Sequence, residues 1–451
     1  MKLNVNSVRV VRVRGKRARD HLHSNSMSSL NTARALYLCY FGVREPLVQT
    51  QVVPYLRELA AGGLRVHLLT FEAQNIKTWP AEERAEVRAR LAAQGIEWHA
   101  LRYHKRPTLA ATVYDIVRGA FAARRFVRRE RIDVVHARSH VAAAMGALAT
   151  RGTRARFLFD IRGFFPEEYT DAGVWPAGGY LYRLTKAAER RLLAAADGYV
   201  VLTEKARQIL FPDQASTNGR ARPVAVIPCC VDLTHFRAAE DVAREAVRRE
   251  LGVEGRRVFV YVGSLGGWYL TDEMADLLAT AHRQDPRTFS LILTQSPPAM
   301  ITDRLRARGV AERDYLVRQI KPTEMARYLK AADVAVSLIK PCYSKQSSSP
   351  TKMAEYLAGG LPIICNTGIG DLDELIETDR VGVLLREFNE ASYLRALTEV
   401  AALLHDPDLP ARCRASAAAR FDLTSVGGAR YRRLYEQLLQ SGRDERKSVR
   451  A

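Results

Sequence analysis

Short apolar runs alternate with longer amphipathic stretches over most of the chain. In the first half the runs lie at 35–41, 64–70, 132–136, 157–161 and 198–203. A helical pattern from about 48 to 61 separates the first two and stops at Gly62-Gly63. Near-continuous apolar strands joined by helices predict a parallel sheet with both faces covered. A polar stretch at 213–223, with Asp213, Ser216, Asn218 and Gly219, reads as a linker. A second alternating series then runs at 224–227, 257–262, 290–293, 315–317, 334–339, 362–365 and 381–385. The pattern predicts an α/β protein of two doubly wound parallel-sheet domains, over 34–212 and 224–423. A last helical stretch at 424–440 carries Val426, Tyr431, Leu434, Tyr435 and Leu438, which need burial. Residues 441–451 are charged and expected to be disordered.

Composition narrows the class. With 451 residues, 47% hydrophobic and 8% aromatic, the chain has core enough for two or three domains and reads as soluble and globular. No apolar run approaches the length that spans a bilayer; the longest candidate, 141–149, reads as a buried helix. The formal charge of +20 favours anionic partners without choosing among nucleic acid, lipid and phosphorylated substrates. Six scattered cysteines form no CxxC pair and no metal-ligand spacing, so they read as small buried hydrophobes in a reducing cytoplasm. Residues 1–33 are basic and lack an apolar signal region, so they are expected to form a disordered arm, or to include an over-extended start before Met27.

The most chemistry sits in Ser347-Ser348-Ser349-Pro350-Thr351-Lys352-Met353-Ala354-Glu355-Tyr356. This reads as a short helix between two strands, capped by Ser349, with Pro350 in its first turn and Gly359-Gly360 at its end. Its N-terminus then lies beyond the carboxyl end of a strand, where open α/β sheets bind ligands. Free N–H groups, the serine and Thr351 hydroxyls and the Lys352 ammonium suit a phosphate. Glu355, one turn on, is placed to accept ribose hydroxyls. After the strand at 257–262, Gly263-Ser264-Leu265-Gly266-Gly267 lets backbone approach a phosphate at the start of another helix.

The first of these segments resembles the donor-site signature of family 4 GT-B glycosyltransferases, which move a sugar from a nucleotide. Further segments stand in the family's order over 35–439: Gly42-Val43-Arg44-Glu45-Pro46, His136-Ala137-Arg138-Ser139, Asp160-Ile161-Arg162-Gly163-Phe164, Ile227-Pro228-Cys229-Cys230-Val231-Asp232, and the glycine-rich turn from Gly263. The resemblance implies the GT-B architecture, with the last helix crossing back to the first domain. It implies donor contacts from Gly42, Gly263, Ser264, Gly266, Gln319, Ser348, Ser349, Thr351, Lys352 and Glu355. The catalytic candidates are Asp160, Arg162, Arg138 and Lys352. It implies a nucleoside-diphosphate sugar as donor, a glycan or lipid-linked acceptor, retention at the anomeric carbon, and no metal or cofactor. Asp371-Leu372-Asp373 and Asp406-Pro407-Asp408 match a metal-binding DxD pattern, but such pairs arise by chance in acidic loops.

Three departures shape the expectations. Ser264 stands where relatives carry arginine, and no lysine follows nearby, so Lys352 is expected to supply the missing charge. Ser347 stands where the family has the first of two glutamates. Asp160 and Arg162 stand where relatives offer a histidine. Alternatives remain at this point: a nucleotide-sugar epimerase of the same architecture, or a catalytically silent sugar- or nucleic-acid-binding protein. The basic amphipathic stretch 102–131 is equally a solvated face or a surface for anionic membrane, which would place a cytoplasmic protein at the inner face of the membrane.

Overall fold

The computed structural model describes residues 30–73, 79–106, 108–212, 222–238 and 241–448. The basic arm expected over 1–33 lies almost wholly outside them, as does most of the 213–223 linker. Two parallel sheets form. The first has the order β3-β2-β1-β4-β5-β6-β7, built from β1 (Arg34–Cys39), β2 (Arg65–Glu72), β3 (Ile96–Arg102), β4 (Val134–Arg138), β5 (Arg156–Asp160), β6 (Gly198–Val201) and β7 (Val224–Val226). The second has the order β10-β9-β8-β11-β12-β13, built from β8 (Arg257–Val262), β9 (Thr288–Leu293), β10 (Tyr315–Arg318), β11 (Val334–Ser337), β12 (Ile363–Asn366) and β13 (Gly382–Leu385). Central strands are buried along their length because helices cover both faces. In each sheet the order reverses beside its first strand, between β1 and β4 and between β8 and β11. Crevices at such reversals open at the carboxyl ends of the strands. The loops after β1, β8 and β11 carry Gly42, Gly263 and the segment leading to Lys352, and β4 runs directly into a helix that starts at Ser139.

Three expectations are corrected. Val224–Val226 does not open the second series; it pairs with β6, Tyr199 against Val224, and completes the first sheet. The edge of β6 offers a row of unpaired backbone groups that this strand satisfies, and the second sheet begins only at Arg257. β3 is absent from the sequence reading because it is an edge strand, with Ile96 and Trp98 buried, Glu97 between them exposed and the residues after them at most partly buried. The stretch expected to be disordered after 440 is largely helical: a π-helical turn, Leu423–Gly428, leads into a helix, Ala429–Ser448. Its Arg, Glu, Asp and Lys run contains no proline, and the charged residues with long side chains are good helix formers.

The last helix does cross back. Tyr431, Leu434, Tyr435 and Leu438 complete a core with Tyr37, Tyr55, Val134 and Leu158 of the first half. Tyr435 hydroxyl lies 2.9 Å from His136 Nδ1. The chain thus passes twice between the halves, and the two crossings touch: Val231 N–H donates to Phe421 O and Leu423 N–H to Val231 O.

Candidate active site

Lys352 lies in the first turn of the helix Thr351–Ala358, whose start no side chain caps. Ser349 is not the cap expected from the sequence. Pro350 holds that position with extended backbone (φ −69°, ψ 119°), and Ser349 Oγ instead accepts the Cys229 N–H at 3.1 Å. Lys352 is 7% exposed and its Nζ has no hydrogen-bond partner. The ammonium sits 4.2 Å from the Tyr261 ring centre and 3.9 Å from that of Tyr269. It also lies against Gly263, where a β-carbon would come within 2.9 Å of Nζ. Gly263 has φ +130°, so both space and backbone require glycine at the end of β8. Burial pulls the Lys352 pKa down to about 7, with Glu355 opposing. Burial likewise pushes Glu355 up to about 7, with Lys352 opposing. The expected juxtaposition of Lys352 with the glycine turn is therefore present.

The rest of that turn is less open to a phosphate than its glycines suggest. Leu265 N–H donates to Ser296 Oγ at 3.0 Å and Gly266 N–H to Thr271 Oγ1 at 2.9 Å. The carbonyl of the exposed Ser264 accepts the Tyr261 hydroxyl. The helix that follows, Thr271–Gln284, carries Asp272 and Glu273 in its first turn, which oppose an anion there. Positive charge at this edge comes from Lys352 and the start of its helix, and from Lys345, which lies 3.8 Å over the Trp268 ring but is paired with Glu168 at 3.5 Å.

The first half presents the opposite arrangement. Asp160, at the end of β5, is 0% exposed. Its Oδ2 accepts from Tyr431 at 3.3 Å and Tyr37 at 3.5 Å, and lies 3.5 Å from His136 Nε2 and 3.7 Å from Arg138. Its Oδ1 lies 3.5 Å from Arg162. Burial alone would raise its pKa; Arg162, His136 and Arg138 outweigh that and hold it far below the carboxylate range. Enclosed in this way, Asp160 braces the loop rather than facing a substrate. Arg138 is buried and also donates to the Gln51 carbonyl at 3.4 Å. Of the four catalytic candidates, only Lys352 has a charge without an oppositely charged contact.

The two halves meet through the predicted segments. Ser347, in the place of the absent glutamate, accepts the Phe164 N–H at 3.2 Å and donates to Ser344 O at 2.7 Å. Arg162 donates to Cys229 Sγ at 3.4 Å, next to the Cys229–Ser349 bond. Thr203 donates to Gln346 O at 2.8 Å. Asp371, first residue of the DxD match, accepts the Glu204 and Lys205 N–H groups at 2.7 and 3.1 Å and so holds the start of a helix in the first half. Ser348 and Ser349 line a junction cavity of about 620 Å³ with Thr203, Asp371 and Arg430. Gly42 is buried in the turn after β1, where a β-carbon would press on Glu72 Oε2 at 2.7 Å. Gln319 is exposed just past β10, two strands from the Lys352 site.

Some of the site was not anticipated. Tyr261 and Tyr269 form the box around Lys352; their signal was their place at either end of the glycine turn. Glu72 accepts the Val43 N–H at 2.9 Å and fixes the Gly42 turn, with nothing in its sequence surroundings to mark it.

Two family models match the chain: Glycosyl transferase 4-like domain over residues 48–230 and Glycosyl transferases group 1 over residues 256–402. No curated protein matches the sequence. Solved structures share the fold at low identity. A glycosyltransferase from Rickettsia africae is 14% identical with a TM-score of 0.67, covering 91% of this chain and 99% of its own. HepE from Anabaena, in complex with UDP and glucose, is 15% identical with a TM-score of 0.63, covering 89% and 99%. Sucrose-phosphate synthase from Thermosynechococcus elongatus is 16% identical with a TM-score of 0.66, covering 91% and 100%. With glycosyltransferase models matched to both halves and the halves paired in this architecture, the chain belongs to the GT-B glycosyltransferases.

Proposed function

We propose that this enzyme takes a sugar from a nucleoside-diphosphate sugar and passes it, with retention, to a glycan or lipid-linked acceptor, without a metal or cofactor. The observation that carries this reading is the buried Lys352 ammonium, unpartnered and pressed against Gly263 at the carboxyl edge of the second sheet. A buried charge without a partner is costly, and a bound diphosphate removes that cost. As the bond between the anomeric carbon and the phosphate oxygen breaks, negative charge grows on the departing diphosphate. Lys352 and the uncapped helix start meet that charge, the kind of preorganised stabilisation that dominates many enzymes. The acceptor hydroxyl attacks from the face the diphosphate leaves, and its proton passes to the departing phosphate oxygen. Glu355 accepts the ribose hydroxyls, and Ser348, Ser349 and Thr351 flank the phosphates.

Nucleotide release measured over a panel of nucleoside-diphosphate sugars, with and without acceptor glycans, tests the reading. Interconversion of the donor sugar without release would turn it toward the epimerase alternative, which no matched family model supports. Neither release nor interconversion with any donor would overturn it.

The acceptor side bears on lipid. On the helix Thr108–Arg129, Leu109, Val113, Val117 and Phe121 form an exposed stripe at four-residue spacing, Phe121 being 71% exposed. Leu148, Tyr180 and Leu184 are exposed on the next two helices of the same layer. Arg124 is engaged with the Arg151 carbonyl and Arg129 with Glu130, while Arg125 and Arg128 stay exposed beyond the stripe. An apolar stripe ending in arginines fits peripheral attachment to anionic membrane. Among the described residues no helix is long and apolar enough to cross a bilayer.

A further inference from the structure

The amino-end half of the first sheet, away from the cleft, gathers a second set of chemically active side chains. The parallel register sets His67 of β2 opposite Glu97 of β3, and Leu69 opposite His99. Residues two apart on a strand share a face, so the sheet alone brings His67, Glu97 and His99 together. His67 Nδ1 lies 3.3 Å from Glu97 Oε2, His99 Nε2 lies 3.2 Å from Glu97 Oε1, and the two ring nitrogens lie 3.4 Å apart. Four-coordinate zinc with bonds of about 2.0–2.1 Å holds neighbouring ligand atoms about 3.3–3.4 Å apart. The three side chains thus converge at spacings close to those of such a site, with Glu97 facing each ring through a different oxygen. Among the described residues, no other group of three His, Cys, Asp or Glu side chains comes together this closely.

We propose that His67, Glu97 and His99 bind a divalent transition metal of the zinc class, with solvent in the fourth position. Two imidazoles and one carboxylate are borderline ligands suited to zinc rather than to magnesium or calcium, which take oxygen. His67 is buried, His99 is partly buried and Glu97 reaches solvent. A cavity of about 590 Å³ opens beside His67 and Glu97 and admits a hydrated ion. The Phe126 ring packs on His99 at 4.4 Å between centres and covers the other side. Nearby positive charge is partly countered: Arg129 pairs with Glu130, while Arg34 is held by the Glu130 carbonyl and keeps its charge. Because the ligands come from β2 and from the edge strand β3, the ion would fasten that edge to the sheet. It has no part in sugar transfer.

The test uses the full chain after chelator treatment, with Zn²⁺ followed by calorimetry and Co²⁺ by its visible spectrum. One ion per chain, intense four-coordinate Co²⁺ bands and a higher melting temperature with Zn²⁺ are expected. Changes behind a ligand alone cost about 10–100-fold in metal affinity. Glu97→Gln and His99→Gln, which remove a ligand, should therefore each weaken binding by more than about tenfold, and nucleotide-sugar turnover should stay as in the parent. Glu97 is exposed, so its variant folds on any account. No saturable binding in the parent, or binding in both variants as tight as in the parent, would overturn the proposal.

Discussion

The two sheet edges that face the cleft treat buried charge in opposite ways. In the first half Asp160 is enclosed by Tyr37, His136, Arg138, Arg162 and Tyr431. In the second half Lys352 is nearly as deep, yet it packs on two aromatic faces and a glycine with no hydrogen-bond partner, and Glu355 acts on it only through its charge. A closed network holds a loop in place and asks for nothing further. An open one is complete only when something from outside brings the opposite charge. Burial by itself therefore does not distinguish brace from site; the count of opposite partners does.

This contrast can be broken by substitution. Removing the charge of Asp160 leaves two guanidinium groups buried and uncompensated, which costs about 3–5 kcal/mol. Asp160→Asn is thus expected to shift the urea unfolding midpoint strongly downward; normal stability with lost turnover would make Asp160 a substrate group after all. Lys352 should behave the other way. Lys352→Met ought to raise the stability of the ligand-free protein by about 1 kcal/mol, because an unpaired buried charge disappears. Lys352→Ala should lower turnover by about 10²–10³-fold, the scale of losing one transition-state donor, and should weaken binding of the intact donor less. Near-normal turnover in Lys352→Ala would move the phosphate role to Arg138 or Arg162.

Glu355 sharpens the picture. Glu355→Gln is expected to weaken nucleoside-diphosphate binding by about 1.5–3 kcal/mol, the worth of a charged hydrogen bond. Burial pulls Lys352 down to about 7 and pushes Glu355 up to about 7, each opposing the other's shift, so both groups change protonation in the neutral range. Affinity should be highest around pH 7. It should fall on the acid side as Glu355 takes up a proton and on the alkaline side as Lys352 loses its own. In Glu355→Gln the acid limb attributable to the side chain should vanish and the alkaline limb remain. Calorimetric profiles that coincide for the two proteins would refute the pairing. The smallest expected effect lies at the membrane face, where each basic residue contributes about 1 kcal/mol. Reversing Arg125 and Arg128 to Glu should reduce sedimentation with anionic vesicles while leaving soluble donor hydrolysis in place. Equal binding of the parent to neutral and anionic vesicles would remove the role of charge.

Much of this was legible from residue order. The strand–helix alternation foretold both sheets, and the motif around Lys352 foretold the one unpartnered charge at the glycine turn. What was not legible depended on distance along the chain. Tyr37 and Tyr431 reach Asp160 from 123 and 271 residues away, so the enclosure of this carboxylate had no local signal. Val224–Val226 was recognisable as a strand, but a three-residue run does not say which sheet it joins. Ser349 stood in a favourable capping position until the Cys229 amide, 120 residues away, claimed its hydroxyl. β3 alternates too weakly for a pattern search, yet it carries both residues that gather around His67.

The crossing helix has a consequence for how the chain comes into being. Leu423, Val426, Tyr431, Leu434, Tyr435, Leu438 and Leu439 all belong to the core of the first half. On a ribosome, domains ordinarily close in the order in which they emerge. Here the half made first lacks seven core residues until the final helix is released, while the second sheet is complete before that helix is made. The amino-terminal half is begun first and finished last.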